Sequence, residues 1–177
     1  MFSISTIDDT VKIPPNLLGK PLKQAIITSL KQKYEGRIDD KLGLIIMILD
    51  AKVESMGRMM TGDGSTHYKV QFDALTFNPK LLEIVRGEIV EVTDFGAIVR
   101  IGPLDALLHL SQILDDHLKS DPRSGTIIAN GGKSMKLGTR IRARITAVSL
   151  PKTGVIKIGV TCKQHTWAQM SGLQNNY

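Results

Sequence analysis

Among its 177 residues the chain has one cysteine, Cys162. That excludes an internal disulfide and a cysteine-rich zinc site, and a reducing compartment is expected. Aromatic residues make up only 5%, so flat surface for stacking is scarce. The apolar runs are short. Leu42–Leu49 falls far below the ~20 residues that a membrane-spanning helix needs, and no membrane partner is expected. No basic-then-apolar leader opens the chain, so secretion is not expected. Acidic residues stop at Asp121, and nine basic residues follow it: Arg123, Lys133, Lys136, Arg140, Arg142, Arg144, Lys152, Lys157 and Lys163. What is present is ordinary globular composition, 42% apolar and 23% charged, which excludes disorder as the main state.

The formal net charge is +6, from 23 Lys and Arg against 17 Asp and Glu. A surface of one sign attracts polyanions by Coulomb force and by release of their counterions. Nucleic acid is the usual partner. A solvated basic face kept for solubility is the alternative.

Apolar periodicity divides the chain at about residue 80. Residues 1–13 read as an extended strand that Pro14-Pro15 ends. Leu22, Ala25, Ile26 and Leu30 share one helical face, and Gly36 is suited to close the helix. Leu42–Val53 is continuously apolar and predicts a central strand, partly buried on both faces. Gly57–Thr66 is rich in Gly, Asp and Ser and predicts a loop. Tyr68, Val70, Phe72 and Ala74 then alternate with Lys69, Gln71 and Asp73, an antiparallel strand. Residues 1–80 are expected to form a small α+β domain.

Residues 81–163 carry short strands punctuated by turns. Strands are predicted at Arg86–Thr93, Phe95–Ile101 and Asp105–Leu110, the last with Leu108 and Leu110 inward. Ser111–Lys136 reads as a long connection holding a short helical piece. A fourth strand carries Ile141, Ala143, Ile145 and Ala147 inward and Arg140, Arg142 and Arg144 outward. A fifth carries Ile156, Ile158 and Val160 inward and Lys157 outward. Five strands with a long third-to-fourth connection predict an all-β, OB-type barrel. Residues 164–177 form a polar tail that includes Trp167, whose role the sequence leaves undecided.

The arginine row carries the most chemistry. Alternate strand residues lie about 6.6–6.8 Å apart on one face, close to the phosphate repeat of a single-stranded nucleic acid. Lys157 is expected on the same sheet face, and Arg100 is a further candidate. Phe95 and His109 are the available stacking groups, in a process worth ~1–3 kcal/mol per base. Phe95 reads alternatively as a lid on the barrel and His109 as a turn cap. Binding is expected to be weak, salt-sensitive and nearly indifferent to sequence.

Other constellations carry little. Gly62-Asp63-Gly64 lacks the Lys-Ser/Thr of a phosphate-binding loop. Cys162 and His165 have no acid nearby to orient them. Asp39-Asp40 and Asp115-Asp116 point apart, as adjacent residues do, and read as solvated acids or caps. His67, His109, His117 and His165 make no zinc spacing. No metal, cofactor, small-molecule substrate or catalytic set is expected.

Taken in order, these pieces resemble a known family. Val11-Lys12-Ile13-Pro14-Pro15, then Tyr34-Glu35-Gly36-Arg37-Ile38-Asp39, Leu42-Gly43 and Gly62-Asp63-Gly64, are similar to the larger of the two stalk subunits of archaeal DNA-directed RNA polymerase. That family is the counterpart of the seventh subunit of eukaryotic RNA polymerase II. Phe95 through Asp105, Leu108 through Ile113 with Asp115-Asp116, and Arg142 through Ile145 with Ala147 through Leu150 resemble its barrel, of the ribosomal-protein-S-one class. The likeness covers about residues 1–163. It implies a non-catalytic subunit in the archaeal cytoplasm, or in the nucleus if the source is eukaryotic. It implies that a tip of the N-terminal domain docks on the polymerase core, with Gly57, Gly62, Asp63 and Gly64 as the matching loop. It implies pairing with the smaller stalk subunit, and contact of the barrel with nascent single-stranded RNA. The family's RNA-binding positions fall on Phe95, His109, Arg142 and Arg144. One departure is Ile98, where many such domains have a second aromatic. The alternative is a free-standing OB-domain RNA-binding factor of translation or RNA decay.

Overall fold

The computed structural model describes residues 1–17, 19, 21–59, 64–114, 118–129, 134–151 and 156–163. The chain separates into two compact units, residues 1–78 and residues 79 onward.

The first unit is one sheet covered on one face by one helix. Its elements are β1 (Phe2–Ile13), α1 (Leu22–Tyr34), β2 (Ile38–Asp39), β3 (Gly43–Val53), β4 (Arg58–Met59) and β5 (Thr66–Phe77). The sheet order is β1-β5-β3-β2, with β4 also on β5. β5 is the spine, paired antiparallel with β1 from Phe2↔Phe77 to Ile13↔Thr66 and with β3 on its other side. Its predicted alternation holds: Val70, Phe72 and Ala74 are buried beneath Ala25, Ile26 and Leu30 of the helix. Leu22, expected on that helical face, is exposed in the first turn. Gly36 follows the helix at φ 77°.

β3 bears on the expectation of partial burial on both faces. Its buried side chains are Ile45, Ile48 and Ala51, three apart rather than two, with Leu44 and Ile46 half-buried. Irregularities between Ile45 and Met47 and between Ile48 and Asp50 each insert an extra residue against β5. Each bulge restarts the pleat, so the core set slips by one at every step. Met47, Leu49 and Val53 are left exposed.

A polar staple ties helix to sheet. The Lys33 ammonium and the Tyr34 hydroxyl both donate to Oδ2 of Asp9 on β1. Burial pushes the Asp9 carboxyl up, but those two hydrogen bonds, the Thr10 amide and the Lys33 charge outweigh it and hold its pKa below the ordinary value. A depressed folded pKa stabilises the protein above the unfolded value of about 3.9, and that stability is lost as pH falls through the folded value. Asp9→Asn is therefore expected to cost about 1 kcal/mol at pH 7, within the range of charged hydrogen bonds discounted for partial exposure. The deficit should shrink as pH falls through the folded value. Urea melts of both proteins over a pH series from 7 into acid check this; a deficit that does not shrink in acid would remove the staple.

The second unit is built on a closed barrel of five strands: β6 (Ile84–Thr93), β7 (Gly96–Ile101), β8 (Leu104–His109), β12 (Arg140–Ser149) and β13 (Lys157–Thr161). They close in the order β12-β13-β8-β7-β6. All contacts are antiparallel except β8 with β13, which is parallel. This is the expected five-stranded OB-type closure. Ala97, Val99, Leu108, Ile141, Ala143, Ile145 and Val160 fill it. Leu110, expected inward on the third strand, lies half-buried in a 3-10 turn that follows His109. Ala147, expected inward, is exposed because a bulge between Ile145 and Ala147 reverses the pleat.

The stretch predicted as a mere connection folds. Beyond the turn, β9 (Leu118–Asp121), β10 (Thr126–Ala129) and β11 (Ser134–Lys136) form a three-stranded antiparallel sheet in the order β11-β10-β9. Ile127, Ala129 and Met135 are buried in it. Asp115, Asp116, His117, His165 and Trp167 lie outside the described residues.

Candidate nucleic-acid interface

Residues directly opposite in a sheet share a face, so the barrel register fixes which polar groups meet. On the outer face of β7 and β8 the pairs are Gly96↔His109, Ile98↔Leu107 and Arg100↔Asp105. Phe95 immediately precedes this strip. It is 52% exposed, so it does not serve as a lid. Its carbonyl accepts from the Leu110 amide at 3.0 Å. His109 takes the role of turn cap: Nδ1 accepts from the Ser111 amide at 3.2 Å and lies 2.8 Å from Ser111 Oγ. The residue is nevertheless exposed. One end of the strand pair therefore presents a phenyl and an imidazole to solvent, with no side chain at Gly96 between them.

The cationic residues gather at the other end. Arg86, Arg100, Arg140 and Arg142, with Gly87, Glu88 and Val90, line an open groove of about 650 Å³. One row of side chains crosses four strands in direct register, Arg140↔Glu88↔Arg100↔Asp105. Its charges alternate. Arg100 Nε donates to Asp105 Oδ1 at 3.0 Å, and Arg140 Nε stands 3.9 Å from Glu88 Oε2. The next row is Arg142↔Arg86, two like charges face to face. Among the described residues no acid lies within ion-pair reach of either. Arg144, opposite Ile84 and Thr161, is half-buried.

The register thus brings Arg100, Arg140 and Arg142 together and sets Phe95 and His109 apart from them. Gly96 and Arg100 are four residues apart on β7, about 13 Å at the strand rise. Lys157 is outward as expected but opposite Ser149, at the far end of β12 from Arg140, so it does not join the groove. Sequence alternation does not single out Arg86. Its only signal is the pairing of two strands distant in the chain.

In the first unit, Gly57 packs against the Tyr68 ring, where an added Cβ would lie 2.5 Å from Cζ. Gly64 has φ 65°. Gly62 and Asp63 lie outside the described residues. Met56 and Met59 on the same stretch are 93% and 70% exposed.

Cys162 is buried, and burial pushes its thiol up to about 12, far from a reactive thiolate. Among the described residues no cluster of His, Cys, Asp and Glu could hold a metal, and no helix is long and apolar enough to cross a membrane.

Comparison with known proteins covers both units. Residues 8–64 match the SHS2 domain found in the N terminus of Rpb7p/Rpc25p/MJ0397, and residues 79–157 match the S1 RNA binding domain. The DNA-directed RNA polymerase subunit Rpo7 of Saccharolobus shibatae is 39% identical over 93% of this chain and 92% of its own length. The Sulfolobus acidocaldarius subunit Rpo7 is 35% identical over 93% and 90%. The DNA-directed RNA polymerase II subunit RPB7 of Saccharomyces cerevisiae is 28% identical over 90% and 94%. The chain belongs to the Rpo7 family, the non-catalytic stalk subunits of DNA-directed RNA polymerase.

Proposed function

We propose that this chain docks on the polymerase core, pairs with the smaller stalk subunit, and uses its barrel to hold single-stranded RNA as it leaves the enzyme. The roles divide by unit. Residues 1–80 dock and residues 81–163 bind RNA; the polar residues 164–177 lie outside the described residues. The site of action is the archaeal cytoplasm. The observation that carries the RNA role is the exposed Phe95 and His109 at one end of a strand pair whose other end lines a cationic groove. A base stacks on the phenyl and phosphates lie toward the arginines, a combination suited to single strands of any sequence. Ile98 and Leu107 lie between the two ends. They offer apolar contact but no π-face, so affinity is modest. Likeness along nine-tenths of the Rpo7 subunits, rather than to the barrel alone, favours the stalk over a free-standing RNA-binding factor.

Phe95→Ala is expected to weaken RNA binding by about 1–3 kcal/mol, the worth of one stacked base. The readout is fluorescence anisotropy with a labelled single-stranded oligouridine, on the chain together with its stalk partner. Phe95 is exposed, so the fold should not suffer. Unchanged affinity would remove this end of the barrel as a base platform.

A further inference from the structure

We infer that the Arg86–Arg142 pair is a phosphodiester-binding site for single-stranded RNA, set apart from Arg100 and Arg140 by the acids that already neutralise them. The inference rests on the RNA-binding reading of the barrel and says which cations carry it.

Local charge balance separates these arginines. Every arginine in the groove sits on an outward position, so sequence alternation treats them alike. The register does not. Arg100 faces Asp105 in a hydrogen-bonded ion pair, and Glu88 lies between Arg100 and Arg140. This row of two arginines and two acids is neutral within itself. One row away, Arg86 and Arg142 face each other, and like charges directly opposite on a sheet are destabilising. The rest of the groove lining is Gly87, Val90 and Ile141, none of which carries charge, so within the groove the uncompensated positive charge sits on this pair. An anion seated between the two guanidinium groups relieves their repulsion and gains charge-assisted hydrogen bonds. The planar guanidinium fork matches a phosphate's oxygens. The groove is open rather than enclosed and about 650 Å³ in volume, which suits a strand passing through. The neutral row beside it confines the positive field to the Arg86–Arg142 side and so sets where the backbone runs.

The test is the salt dependence of oligouridine binding, measured by anisotropy on the full chain with its stalk partner. Arg86→Gln combined with Arg142→Gln is expected to weaken binding about tenfold and to reduce the slope of log K against log salt by about 1.4, two contacts at about 0.7 each. Arg100→Gln is expected to leave the slope within about 0.3 of the parent, because Asp105 already neutralises its charge. Asp105→Asn is expected to steepen the slope by about 0.7, since it frees Arg100. All the altered side chains are at the surface or half-buried, and hydrogen exchange of the β6 and β12 amides shows whether each variant keeps the barrel. A loss from Arg100→Gln as large as from the double variant would overturn the inference while leaving the barrel an RNA binder. So would an unchanged slope in the double variant. Absence of RNA binding by the parent itself would overturn both this inference and the reading on which it rests.

Discussion

Gly96→Ala is expected to open the barrel between β7 and β8. A Cβ at residue 96 would lie 2.2 Å from the Leu108 carbonyl oxygen and 3.0 Å from His109 Cα. Both are backbone atoms of the paired strand, so no side chain can swing aside. The strands must separate where Gly96 opposes His109. Overpacking of this kind costs up to about 3 kcal/mol, a large part of what holds a small domain together. Hydrogen exchange of the intact chain should show the β7 and β8 amides losing protection while β1 and β5 in the other unit keep theirs. Gly159→Ala is the control. Its Cβ would meet Thr146 Oγ1 at 3.3 Å and Ala147 Cβ at 3.4 Å, contacts that a small side-chain shift relieves. A Gly96→Ala protein as protected as the control would show that the two strands are not held this closely.

Met56→Asp with Met59→Asp is expected to abolish co-purification with the polymerase core and leave the chain folded. Both methionines are exposed, in a stretch anchored by Gly57 against Tyr68 and by β4 pairing Arg58↔His67 and Met59↔Thr66. The side chains contribute nothing to a core, so a surface change should be nearly neutral for stability. At a docked interface each methionine contributes about 2 kcal/mol by burial. Each aspartate would instead bring a carboxylate whose desolvation costs several kcal/mol. Methionine also adapts its shape to a partner, which suits a tip that seats on another protein. Pull-down of the core with tagged parent and variant, and a thermal melt of each, read the two effects separately. Retained assembly would remove the docking proposal from this loop.

How much of this is legible in the sequence depends on where the pleat stays regular. β5 alternates from Val70 to Ala74, and the buried residues fall where that period puts them. β3 does not keep it. Two bulges turn a period of two into the spacing Ile45, Ile48, Ala51, which mimics a run buried on both faces. β12 reads correctly up to Ile145 and reverses at its bulge, so simple alternation puts Ala147 on the wrong side. The β9–β11 sheet is hidden by brevity. Its strands run three or four residues, too few for a period to show, and the Gly and Pro between them look like loop. At the interface, Phe95 and His109 are readable because each lies beside a turn. The distinction among the arginines is not. Compensation by Glu88 and Asp105, and the partnership of Arg86 with Arg142, arise only when strands distant in sequence are laid side by side.

That lateral arrangement also governs how the chain comes into being. Phe2 pairs with Phe77, and β6 waits for β12 to close the barrel. A growing polypeptide therefore carries β1 unpartnered until β5 has been made, and one side of β6 until β12, the fourth member of the barrel, appears. Topologies dominated by such distant pairings fold slowly. During that interval the bare strand edges are exposed to promiscuous association. Asp8 and Asp9, side by side in β1, place two negative charges on a strand that waits for its partner and so discourage it from finding the wrong neighbour.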